Sequence, residues 1–306
     1  MFRYADGIMT PEDILSHSAR VLTQSQREDY FRKGFLSAEG LIPRPWLNRL
    51  IDLSNEFLET SRGLSESNEG FDIGPKHSAE RPHVRRLRAL VDRHPDFWRF
   101  AAESPLADIA ADLVGPDVKF HSSKLNYKWP GAGEIVKWHQ DTAAWPHTNY
   151  SLVTLGVYLD DTPAERGPLS CLPRSHQGPI FVHRDDAGTW TGAVRDEDLA
   201  GFDINDVEDL TGDTGAVVAL HCRVLHASRA NMTDRVRPCA LFVYAAADAF
   251  AWMPQPTPTS HTGKIVRGAP AKVAHLDPTP CPVPPNWAEQ GYGSIFTAQK
   301  AAAEAM

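Results

Sequence analysis

Along the first 115 positions apolar residues recur at helical spacing, and beyond them the pattern changes to short apolar runs and alternation. Thr23 with Gln26 three positions later fits a capping box, and Tyr30, Phe31 and Phe35 follow within helical reach before Gly34 and the turn-like Gly40, so a helix of roughly a dozen residues is predicted. A second helix is predicted from Pro45, with Trp46, Leu47, Leu50, Ile51, Ser54, Phe57 and Leu58 along one face. A third opens on Ser104 and Pro105, carries Leu106, Ile109, Ala110, Leu113 and Val114, and stops at Gly115. The segment GFDIGPKHSAERPHVRR between them has no clear period and many turn formers, and it reads as a loop.

From about Val118 the segments VKFHSSKLNYKW, EIVKWHQD, LVTLGVYLDD, GPLSCL, PIFVH, TGAVVALHC and PCALFVYAAA read as strands separated by Gly, Pro, Asp and Asn. Many short strands with few helices between them predict a mainly antiparallel sandwich or closed double sheet such as a jelly roll. The last fifty residues are too rich in proline for a central strand and are expected to wrap the outside. One domain, 1–306, is therefore expected: 1–115 as mostly helical support, 116–250 as the β core, and 251–306 as the wrap. A net charge of −8 disfavours a sequence-independent grip on nucleic acid. No run of about 18 apolar residues occurs, and acids stand where a leader peptide carries a basic stretch, so a cytoplasmic protein without membrane contact is expected. Cys171, Cys222, Cys239 and Cys281 form no CxxC pair, against a disulfide framework or thiolate zinc site, whereas 13 histidines offer more chemistry.

The informative stretch is KWHQDTAAWPH. His139 and Asp141, two apart, leave an extended backbone on one face, where an imidazole nitrogen and a carboxylate oxygen can meet one metal ion. Alone, HxD reads rather as a solvated polar strand edge or a hydrogen-bonded pair. Some eighty residues on, a second strand-like segment supplies His226, and Arg237 stands eleven residues beyond it. Two histidines and a carboxylate compose the facial triad that leaves open positions on a non-haem Fe(II) for a bidentate oxoacid and O2. An arginine fork suits the far carboxylate of such an oxoacid. His221 is the rival third ligand; on one regular strand it and His226 face opposite sides, so only one of them can look into the barrel.

At these residues the sequence resembles the phytanoyl-CoA dioxygenase family of iron(II)- and 2-oxoglutarate-dependent oxygenases. The resemblance implies a double-stranded β-helix, cupin-like, with helices packed outside. It implies iron held by His139, Asp141 and His226 and 2-oxoglutarate held by Arg237. It extends to Gly167, Pro168, Leu169, Leu172, Pro173, Ser175 and His176 and to Ala227 and Asn231, departing mildly at Ala227-Ser228 and Arg174. SSKLNYKWPG is similar to the ectoine hydroxylase branch, which implies that Asn126 also contacts 2-oxoglutarate. TAAWPHTNYS departs from that branch, which sets ectoine aside as the expected substrate. Related halogenases have a small residue in place of the acid, so Asp141 favours hydroxylation.

Expected substrate contacts are Trp145 and His147, which follow the metal pair, Lys124 and Lys128, which share a face with Asn126, and Arg85 and Arg86, at the end of a basic loop from Lys76. Each has a plainer reading as a packing Trp-Pro turn, a solvated lysine stem or a solvated surface loop. Asp160-Asp161 reads as turn chemistry, and Ser175-His176 lacks the GxSxG elbow of a hydrolase. The expected activity is hydroxylation of a small polar or carboxylate-bearing metabolite by a monomer or homodimer, with succinate and CO2 as coproducts. From the residues alone, a cupin-like metalloenzyme without 2-oxoglutarate, with no use for Arg237, or a non-catalytic ligand-binding jelly roll, indifferent to loss of His139, stays open.

Overall fold

The computed structural model describes residues 7–131, 133–292 and 294–304, so the first six residues of the segment read for a leader lie outside it. Its strands are β1 (Phe35–Ala38), β2 (Phe71–Ile73), β3 (Val84–Arg88), β4 (Val118–Lys128), β5 (Val136–His139), β6 (Leu152–Tyr158), β7 (Leu169–Cys171), β8 (Glu208–Leu210), β9 (Val217–His221), β10 (His226–Ser228), β11 (Arg237–Ala246) and β12 (Ile265–Arg267). A larger sheet runs β1-β9-β6-β11-β4-β3-β2 with β12 beside β4, and a smaller one runs β5-β10-β7-β8. The fold is the expected jelly roll with helices outside.

Period-two alternation in the central strands builds two cores. Along β11, Cys239 and Leu241 pack with Tyr158, Cys171, Leu210, Val218 and Leu220 between the sheets, while Ala240, Phe242 and Tyr244 join the helices on the outer face. Those helices include Arg44–Ser61 and Pro105–Val114, as predicted, and Pro95–Glu103, whose N-cap is the unanticipated His94. Phe97 and Leu106 are completely buried there. The four cysteines form no disulfide.

Four local expectations are corrected. The Thr23 capping box opens the helix Gln24–Lys33, but Gly34 at φ 89° ends it and Phe35 begins β1. A side chain at Gly34 would meet the His176 ring at 2.4 Å, so both conformation and space demand glycine. The stretch read as a loop contains β2 and the start of β3, and only 74–83 between them lacks regular structure. Val84 and Leu87 are completely buried, and the neighbouring arginines hid the apolar pattern. PIFVH is not a strand; the Phe181 N–H is taken by the Gln140 side chain at 2.9 Å instead of a ladder partner. The C-terminal wrap contributes the edge strand β12 and the helix Ile295–Glu304. No described helix is long and apolar enough to cross a membrane.

Candidate active site

In the smaller sheet His139, the last residue of β5, lies directly opposite His226, the first of β10. One residue further the chain enters a 3-10 turn, Asp141–Ala143, which brings the Asp141 carboxylate back to the same point. One ligating atom from each of the three lies within 4.8 Å of the others. The imidazole centroids are 4.0 Å apart, and His226 Nε2 is 4.0 Å from Asp141 Oδ1.

Local hydrogen bonds fix what these atoms can do. His139 Nδ1 lies 2.9 Å from the Lys137 carbonyl and His226 Nδ1 3.0 Å from the Val224 carbonyl. A carbonyl can only accept, so Nδ1 carries the proton in both rings and the Nε2 lone pairs remain for a cation. Burial pushes both imidazoles below their ordinary values, which keeps them neutral. Burial works against the Asp141 charge, but His226, Lys124 and the Thr154 hydroxyl outweigh it and hold the carboxyl below its usual value. Thr154 donates to Oδ2 at 2.8 Å and leaves Oδ1 for a ligand. Two neutral imidazoles and one carboxylate, convergent and at most half-exposed, with open space beside them, fit a divalent iron centre that takes further ligands. Thr154→Val is expected to weaken iron binding by about 10- to 100-fold, because outer hydrogen bonds to a ligating carboxylate fix its rotamer. An anaerobic iron titration reads this directly.

His221, the rival ligand, lies outside this point. Its ring sits 5.2 Å from His176 and 6.3 Å from Tyr30. The separation arises because β9 belongs to the larger sheet and β10 to the smaller, with a turn between them, so the two histidines do not share one strand as the sequence argument assumed.

Arg237 opens β11 opposite Lys128 of β4 and is 4% exposed. Its Nη2 donates to the Gly167 carbonyl at 3.0 Å and approaches Ser228 Oγ at 3.2 Å, while Nε is buried without a partner. A fixed guanidinium with a spare donor on the triad's cavity suits a carboxylate. Asn126 lines the same cavity, but its Oδ1 accepts from Arg86 Nε at 2.9 Å, so it also orients that arginine.

The other expected contacts divide. Trp145, Lys124 and Arg86 line the cavity. Lys128 lines it too, but its Nζ donates to the carbonyls of Glu134, Ser228 and Arg229, so it ties strand ends together. His147 is turned into a neighbouring cavity, with Nδ1 on the Trp145 carbonyl, and burial takes it down to about 4. Arg85 pairs with the buried Asp72 at 2.6 Å and is not at the cavity. The basic loop is likewise committed: Lys76 donates to Gly131 and His83 faces Glu134 at 3.2 Å. Asp160 pairs with Arg166, and Asp161 accepts from Thr214, as turn residues. Sequence reasoning missed Arg88, His121, His183, Trp190, Tyr292 and Phe296, which also line the cavity. Arg88 was findable as the second member of an alternating pair with Arg86; the contribution of Tyr292 and Phe296 from the wrap was not.

Comparison with known proteins agrees with this geometry. The sequence profile of the family described as phytanoyl-CoA dioxygenase matches residues 30–239. A probable alpha-ketoglutarate-dependent hypophosphite dioxygenase of Stutzerimonas stutzeri is 31% identical over 232 residues, covering 74% of this chain and 79% of that protein. An ectoine dioxygenase of Sphingopyxis alaskensis is 28% identical over 54% of this chain and 60% of its own length. The crystal structure of EctD from S. alaskensis with 2-oxoglutarate and 5-hydroxyectoine shares the fold at a TM-score of 0.63 and 24% identity, covering 79% of this chain and 82% of that one.

Proposed function

Because the chain belongs to the phytanoyl-CoA dioxygenase family of iron(II)- and 2-oxoglutarate-dependent oxygenases, we propose that it hydroxylates an unactivated C–H bond of a small polar or carboxylate-bearing metabolite, using His139, Asp141 and His226 for iron and Arg237 for 2-oxoglutarate. The observation that carries these roles is the convergence of three ligating atoms, from the half-buried His139 and the buried Asp141 and His226, beside a cavity that also receives a partly unpaired guanidinium. When bound, iron and 2-oxoglutarate supply the oxidation: substrate C–H, O2 and 2-oxoglutarate give C–OH, succinate and CO2.

The residues of the chain contribute placement. The Nε2 atoms of His139 and His226 and Oδ1 of Asp141 present one face of ligands, and the hydrogen bonds at Lys137, Val224 and Thr154 keep those atoms aimed. Arg237 fixes the far end of the cosubstrate, and Asn126 lends its free amide nitrogen. Trp145 of the barrel mouth and Phe296 of the C-terminal helix wall the cavity and exclude water, which protects an oxidising site from side reactions. The relatives named for hypophosphite and ectoine support a small-molecule substrate.

Succinate release, measured with iron(II), with metal-free protein and with a panel of small carboxylate and amino-acid candidates, tests this reading. Iron-dependent succinate that rises with one candidate, together with a product heavier by one oxygen atom, is the expected result. Succinate formed equally by metal-free protein would sink it.

A further inference from the structure

Resting on the oxygenase reading above, we propose that the prime substrate carries a phosphonate or phosphate monoester, an oxyanion that can bear a second negative charge, and that Arg86, Arg88 and Lys124 hold it. All three residues line the cavity that contains the triad, and among the described residues lining it Asp141 is the one acid. Arg86 is 4% exposed, is aimed by its Nε bond to Asn126, and rests against the Phe296 ring at 5.6 Å. No described carboxylate forms an ion pair with it. Arg88 Nε is buried without a partner, and Asp72, the acid that acts on it, makes its ion pair with Arg85. Lys124 has no described hydrogen-bond or ion-pair partner, and burial brings it down to about 8.

Charge balance decides what these cations are for. Asp141, a divalent metal, dianionic 2-oxoglutarate and Arg237 offset one another, and Lys128, which burial and then Arg237 bring down to about 6, adds little charge near neutral pH. Two guanidinium groups and an ammonium are then left over in a mostly enclosed site, where unpaired charge is strongly unfavourable. A monocarboxylate offsets one of them. A phosphonate or phosphate monoester carries between one and two charges near neutral pH and presents three acceptor oxygens, which suits two planar forks and a point donor.

The far part of the cradle is separate from the cosubstrate's anchor, while Arg86, opposite Asn126 and two residues along the ladder from Arg237, lies between the two. Arg88 lies beside Lys124, which is opposite Leu241, four residues along β11 from Arg237. At a strand rise of roughly 3.3 Å per residue the two anion points are about 13 Å apart along the sheet, farther than the five-carbon diacid spans. The alternation that puts Lys124, Asn126 and Lys128 on the cavity face follows a bulge in β4, where the pairing with β11 shifts between Val243 and Tyr244.

Titration calorimetry on the whole chain, loaded anaerobically with iron(II) and 2-oxoglutarate, tests this with methylphosphonate, methanesulfonate and acetate as probes. Methylphosphonate is expected to bind at least about tenfold more tightly than either monoanion, and Arg88→Met or Lys124→Met to weaken it by about tenfold or more. Arg88→Lys, which keeps the charge, is expected to retain most of the binding. Equal affinity for methylphosphonate and methanesulfonate, or no binding of methylphosphonate by the wild-type protein, would overturn the proposal. A fall in 2-oxoglutarate affinity in the Arg88 variants matching the fall for methylphosphonate would overturn it too, since the cradle would then belong to the cosubstrate. Failure of the oxygenase reading shows separately, as 2-oxoglutarate binding that needs neither iron nor Arg237.

Discussion

His226→Ala abolishes iron binding, whereas His221→Ala leaves it within a fewfold of the wild-type protein; this is the expected result of anaerobic iron titrations on the two variants. The contrast is large because removing one of three ligating atoms takes away a coordinate bond and leaves Asp141 as a buried carboxylate facing an empty position. His221 contributes only packing against His176 and Tyr30 and an acceptor for the Arg223 N–H at 3.1 Å. Its loss is felt in stability, through a partly emptied site, and not at the metal. Thermal unfolding separates the two effects: His221→Ala lowers the midpoint with metal affinity preserved. If instead His221→Ala loses iron and His226→Ala keeps it, the triad is wrongly assigned and the position of Arg237 relative to it must be redrawn.

The same pair of histidines marks where the sequence was legible. Three helices could be read because their boundaries are written in local chemistry, as in the Thr23–Gln26 box and the Ser104-Pro105 start. The three converging side chains were legible because HxD and a distant histidine are scarce combinations. Two strands in register then make them neighbours, His139 opposite His226, and no single-chain pattern states that pairing. His221 does lie apart from the point where His139, Asp141 and His226 converge, but a change of sheet, not the pleat of one strand, separates it from His226. β2 and β3 went unseen because Arg85, Arg86 and Arg88 interrupt the apolar pattern, although Arg86 and Arg88 are charged for the sake of the cavity and not of solvent. Long-range closure is the least legible of all. Phe296 meets Arg86, and Gln299 accepts from the Lys137 N–H at 2.9 Å while donating to the Gly192 carbonyl at 3.0 Å. These contacts fasten the C-terminal helix to β5 across more than a hundred residues of chain, and nothing in a proline-rich tail announces them.

Arg237→Leu is expected to lower 2-oxoglutarate affinity by roughly ten- to a hundredfold while iron still binds, since a hydrogen bond to a charged group is worth about 1.5–3 kcal/mol. The full effect is expected here because the guanidinium is pre-aimed: the Gly167 carbonyl and Ser228 hold Nη2, the Tyr158 ring lies 5.9 Å away, and Nε is left over, so little ordering is required when a carboxylate arrives. Lysine at this position keeps the charge but not the fork, and Arg237→Lys should fall between the leucine variant and the wild-type protein. The neighbouring Lys128 sharpens the prediction. Burial, and then the adjacent Arg237 charge, bring Lys128 down to about 6, so removing Arg237 relieves that repulsion and favours its charged form. Any compensation by Lys128 would therefore show as a partial rescue of Arg237→Leu that is lost in the double variant with Lys128→Met. The measurement is an anaerobic 2-oxoglutarate titration of iron-loaded protein. An affinity unchanged in Arg237→Leu, with Lys128 intact or replaced, would place the cosubstrate's far carboxylate elsewhere in the cavity and return Arg237 to a purely structural role at the start of β11.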